Sequence, residues 1–66
     1  MQVIVNGKSR QLADDTTVAG LVHELKLTGK PVAVEVNLAL VPRQQHAEHR
    51  LAEGDRVEIV TLVGGG

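Results

Sequence analysis

Three glycines close this sequence, and they are the residues best suited to chemistry. Gly64-Gly65-Gly66 follows a strand-like segment directly, so it neither caps a helix nor turns a hairpin. A frayed terminus is the ordinary form of such an end. Two physical properties point further. Without Cβ atoms, the segment can thread a narrow channel into another protein's active site. The terminal carboxylate of Gly66 is ionised at neutral pH and unhindered, so it can attack an activated phosphate. Extended, Val63 to Gly66 would carry that carboxylate roughly 13 Å beyond the last strand.

The other candidates are weaker. His46 and His49 are three apart and could share a helical face, while His23 falls on the polar side of the main helix. Zinc would need a third and usually a fourth ligand, with hydrogen bonds behind them, and nothing is spaced to supply these. All three histidines are therefore expected at the solvated surface. Asp14-Asp15 stands where a helix begins and suits its dipole. Glu53 and Asp55 flank a turn glycine, where acids are ordinary. Catalytic carboxylates need a concave, water-poor site, and one helix on one sheet is too thin to build it. Ser9, the single serine, has no evident base. Gly7, Gly20, Gly29 and Gly54 do not make a phosphate-binding spacing. No internal active site, metal or cofactor is expected.

Composition narrows the classes. With 42% hydrophobic and 23% charged residues, 66 residues make one small folded domain. The absence of Cys excludes disulfides, thiolate metal sites and a cysteine nucleophile. The absence of Phe, Tyr and Trp excludes base-stacking platforms and aromatic cages. A net charge of -1 argues against a nucleic-acid footprint. No apolar run nears the ~20 residues of a membrane span, and no signal-peptide pattern opens the chain. A cytoplasmic domain without membrane association is expected.

The elements that would position the tail follow from periodicity. Met1 to Asn6 alternates as a strand, with Val3 and Val5 on one side and Ile4 on the other. Asn6-Gly7 is a type I′ hairpin signal, and Ser9 to Ala13 returns with Leu12 facing the core. Thr16 or Thr17 caps a helix over Val18 to Lys26, whose Val18, Leu21, Val22 and Leu25 share a face. Gly20 weakens that helix and suggests a close approach to the sheet. Thr28-Gly29-Lys30-Pro31 ends it, Gly29 suiting the left-handed cap. Val32 to Asn37 alternates again. Leu38 to Leu51 has no clear period, with Val41-Pro42-Arg43 leading into one helical turn. After the Glu53-Gly54-Asp55 turn, Arg56 to Leu62 is the last strand.

One helix against a mixed four-stranded sheet is an α+β fold. A domain over residues 1–62 and a flexible glycine tail over 63–66 divide the chain. One helix covers one sheet face. If the first and last strands pair in parallel at the centre, Ile4, Val60 and Leu62 lie together on the open face, where a partner would cover them.

Asn6-Gly7, Thr17-Val18-Ala19-Gly20-Leu21, Val34-Glu35-Val36-Asn37, Val41-Pro42-Arg43, His46, the run Glu53 to Val60 and the terminal Gly-Gly resemble the ThiS family. These are the sulfur carrier proteins of thiamin biosynthesis, with the ubiquitin-like β-grasp fold. The resemblance covers the whole chain; a third glycine at Gly64 is its one small departure. It implies that a ThiF-type adenylating enzyme transfers AMP to the Gly66 carboxylate. A cysteine-persulfide donor would then supply sulfur, leaving a thiocarboxylate for a ThiG-type thiazole synthase. The chain would be a protein co-substrate, not an enzyme, and a monomer when free. Gly64, Gly65 and Gly66 would enter partner sites, with Ile4, Val60 and Leu62 as the docking surface. The rivals are the small subunit of molybdopterin synthase, which uses the same tail chemistry, a protein-conjugating ubiquitin-like modifier, and a non-covalent β-grasp binding module.

Overall fold

The chain opens with β1 (Gln2–Val5), whose alternation sends Val3 and Val5 inward and leaves Gln2 exposed. The computed structural model describes residues 1–62; the tail expected over residues 63–66 lies outside them. Asn6 (φ 49°) and Gly7 (φ 82°) form the expected left-handed turn. From it, β2 (Lys8–Gln11) returns antiparallel to β1, with Val5 opposite Lys8, and Leu12 is buried just beyond.

Helix α1 (Val18–Glu24) buries Val18, Leu21 and Val22. Thr17 is its N-cap, the hydroxyl accepting from the Gly20 N–H at 3.1 Å. The next free donors are also taken. Val18 N–H donates to the His49 carbonyl and Ala19 N–H to that of His46, each at 2.9 Å. The segment 46–49 thus does for the helix start what water would otherwise do.

The helix ends earlier than its hydrophobic period suggested. Lys26, not Gly29, takes the left-handed position (φ 62°), with its N–H donating to His23 and the Leu27 N–H to Val22. That is a Schellman closure with Leu27 packed back on the core. Gly29 (φ 85°) serves the following turn instead. Gly20 does not mark a close approach to the sheet: a Cβ there would meet Thr16 Cγ2 at 3.4 Å and Thr17 Oγ1 at 3.5 Å, both in the capping segment.

β3 (Val32–Val36) leads through Asn37 (φ 51°) and Leu38 (φ 71°) into β4 (Ala39–Leu40). A single turn of 3₁₀ helix, Arg43–Gln45, follows Pro42 as expected. β5 (Arg56–Thr61) completes a sheet of five strands in the order β2-β1-β5-β3-β4. Four strands were expected; the fifth is the two-residue β4. The sheet is mixed, since β1 and β5 run parallel while the other pairs are antiparallel. The core between sheet and helix is wholly aliphatic, with Val3, Val18, Leu21, Val34 and Val57 fully buried.

Two asparagine side chains join other elements to β5. Asn37 Oδ1 accepts the Arg56 N–H and its Nδ2 donates to Asp55, both at 3.0 Å. Asp55 in turn accepts the Ala52 N–H at 2.8 Å. Replacing Asn37 with Gly keeps the positive φ available and removes only this amide. Urea unfolding of Asn37→Gly should show a loss of about 1–2 kcal/mol, the net value of two hydrogen bonds.

Candidate functional site

The last element of the described residues is β5, the strand that precedes residues 63–66. β5 is the middle strand of the sheet, so both edges of its backbone are occupied. On one edge it pairs with β3 from Val57 opposite Val36 to Thr61 opposite Val32. The Leu62 N–H then donates to the Pro31 carbonyl at 2.8 Å, which carries the pairing past the strand's end. On the other edge β1 turns away after Val5. There the Asn6 side chain takes over: Oδ1 accepts the Ile59 N–H at 2.8 Å and Nδ2 donates to the Ile59 carbonyl at 3.1 Å. An amide so placed imitates one more residue of strand. β5 is therefore held in register to its last described residue.

The faces of β5 separate cleanly. Val57 and Ile59 are buried under the helix, whereas Val60 and Leu62 are 56% and 53% exposed. Val60 lies opposite Ala33 on β3. This confirms the strand parity on which the open apolar face depended. Ile4 does not join them. It shares their face, but it is in register with Arg56, four residues and roughly 13 Å of strand before Val60. The parallel pairing assumed for β1 and β5 is present; its offset keeps Ile4 apart from the pair, with Glu58 between.

The open face also holds a leucine that strand alternation had not indicated, and another stands exposed at the adjoining hairpin. Leu40, 65% exposed, lies opposite Glu35 and so shares its face. Leu38, 90% exposed, stands at the hairpin tip in left-handed conformation. A two-residue hairpin usually signals itself through glycine. Asn37 was the available half of that signal, and Leu38 disguised the other half.

The remaining candidates have structural employment. His46 is buried, with Nε2 3.0 Å from the Val41 carbonyl, contrary to the solvated surface expected for it; it ties the 3₁₀ turn to the chain before it. His49 is half-buried and His23 exposed, its Nδ1 3.4 Å from Thr28 Oγ1. Among the described residues no three His, Asp or Glu side chains come together as a metal site. Asp14 pairs with the Met1 amino group at 3.2 Å and Asp15 with Arg50 at 3.8 Å. Glu53 accepts the Gln2 N–H at 2.9 Å. Ser9 Oγ accepts from the Gln2 side-chain amide. What the described surface offers a partner is a sheet face leading toward residues 63–66, where Gly64, Gly65 and Gly66 fall outside the described residues.

Comparison with known proteins bears on the family and the fold. Residues 3–66 match the profile of the ThiS family. The chain is 32% identical to the sulfur carrier protein ThiS of Escherichia coli, over all of both chains. It is 39% identical to a thiazole synthase of Paramagnetospirillum magneticum over its whole length, which is 20% of that relative. A crystal structure of the thiamine biosynthesis protein ThiS from Geobacter metallireducens superposes with a TM-score of 0.84 at 32% identity, covering both chains fully.

Since Val60 faces solvent and Val57 the core, one charge should separate the two faces. Val60→Glu is expected to leave the circular dichroism spectrum and melting temperature nearly unchanged, because exposed substitutions usually stay within about 0.5 kcal/mol. Val57→Glu should unfold the domain. Unfolding by the first change would reverse the assigned parity.

Proposed function

The chain belongs to the ThiS family, and from that membership we propose that it carries sulfur on the carboxylate of Gly66 for thiazole formation. The observation that carries this is the match through residue 66, joined to a strand held in register as far as Leu62. A short span of glycine-rich chain then separates a fixed body from a small, unhindered nucleophile.

The chemistry divides among partners. A carboxylate oxygen of Gly66 attacks the α-phosphorus of ATP in a ThiF-type adenylating enzyme, and pyrophosphate leaves. The terminal sulfur of a cysteine persulfide then attacks the acyl carbon and expels AMP. Cleavage of the resulting acyl disulfide by a thiol releases the thiocarboxylate. That group is anionic at neutral pH and nucleophilic through sulfur, which suits transfer to a ThiG-type thiazole synthase. The chain is a co-substrate throughout, and catalysis belongs to its partners. A thiazole synthase partner is supported by the relatives of that name, which contain a segment similar to this whole chain within a fifth of their length. The names of the relatives favour this branch over the molybdopterin synthase subunit.

Docking would use the open face. Val60 and Leu62 stand immediately before residues 63–66, so a partner covering them is led to the tail. Ile4, set farther back in register with Arg56, would lie at the margin of that contact. Gly64, Gly65 and Gly66 would enter the active sites.

Removing Gly66 withdraws the carboxyl by one residue, ~3.3 Å, from the point of attack. ATP–pyrophosphate exchange by the adenylating enzyme should then fall by at least about a hundredfold, as misplacements of even 1 Å can cost that much. Exchange that persists with the truncated chain would contradict the proposed role of Gly66.

A further inference from the structure

Glu35 and Glu58 are direct partners across β3 and β5, and both are exposed. Since β5 is the middle strand and β3 its neighbour, the two carboxylates stand near the centre of the open face. Leu40 continues the row beyond Glu35. Val60, opposite Ala33, lies one pleat farther along β5. Two like charges directly opposed on an antiparallel pair repel each other and weaken the free fold.

Among the described residues neither carboxylate is held in an ion pair. The ion pairs there are those of the Met1 amino group with Asp14, Arg10 with Glu24, and Arg50 with Asp15. Arg56, two residues before Glu58 on the same face, is in register with Ile4 and forms an ion pair with neither carboxylate. A local rule of sheet pairing is broken at the centre of an exposed, partly apolar surface, which is where function tends to override stability.

We propose that the adenylating partner covers this face with a basic side chain, an arginine or lysine, set between Glu35 and Glu58, with apolar contacts to Leu40 and Val60 around it. This rests on the docking face proposed above and names its recognition chemistry. A guanidinium fork fits two adjacent carboxylates. The flanking aliphatics exclude water once the face is covered, which strengthens the attraction. The same cation relieves the repulsion that the free protein bears.

Calorimetric titration of the adenylating enzyme with the chain tests this at several salt concentrations, using wild type, the double variant Glu35→Gln/Glu58→Gln, and Val60→Glu. The double variant should bind about tenfold more weakly at low salt and lose most of the salt dependence. Its melting temperature in the free state should stay level or rise, so that weaker binding is not unfolding. Wild-type affinity and salt dependence in the double variant, with binding lost in Val60→Glu, would overturn the carboxylate role and leave the docking face standing. Wild-type affinity in Val60→Glu would remove the docking face itself, and this proposal with it.

Discussion

The hold on β5 governs the molecule. Two asparagines, one after β1 and one after β3, adopt left-handed backbone and turn their amides onto this strand. Left-handed conformation costs most side chains energy, but asparagine least among those with a Cβ. Each therefore does two things at once. It turns the chain, and it supplies hydrogen bonds where a neighbouring strand has run out. Asn37 grips the beginning of β5 at Arg56, and Asn6 grips it near the end at Ile59. Between them the backbone of β5 pairs on both sides, so the strand leading toward residues 63–66 is fixed in register.

That anchoring matters because the rest of the domain is small. Its core is a single layer of aliphatic side chains between one short helix and one sheet face. Polar groups near the core are committed to holding segments together, as with His46 on Val41 and Thr17 on Gly20. Such a body has no depth in which to dry out an acid or base and shift its proton affinity. In the function proposed above, the chemistry therefore belongs to Gly66, and the scaffold contributes position and a surface to be recognised. The open sheet face and the strand that crosses its centre are parts of one device.

Much of this was legible in the residues. Alternating valines marked β1, β3 and β5 and their inward faces, and Asn6-Gly7 announced the first hairpin. Thr16 or Thr17 and the spacing of Val18, Leu21 and Val22 placed the helix start, and Thr17 is the cap. The failures share a cause, which is tertiary context overriding local preference. Lys26 accepts a left-handed turn because Leu27 gains the core by it. Leu38 accepts the same conformation in a hairpin whose partner strand is only two residues long, too short to show a period. His46 is buried because the segment around it folds back on the helix start, a contact of long sequence separation. The distance of Ile4 from Val60 is a matter of register, which face alternation alone does not specify. The roles proposed for Gly64, Gly65 and Gly66, which lie outside the described residues, rest on the chemistry of a glycine carboxylate and on family membership.

The central claim is that sulfur travels on the carboxylate of Gly66. Intact-mass measurement tests it most directly, before and after incubation with the adenylating enzyme, ATP and a persulfide donor. The account predicts a mass gain equal to one sulfur replacing one oxygen, localised to the peptide that ends at Gly66. An unchanged mass, with partners shown to be active, would contradict it and leave a β-grasp domain that binds without carrying sulfur.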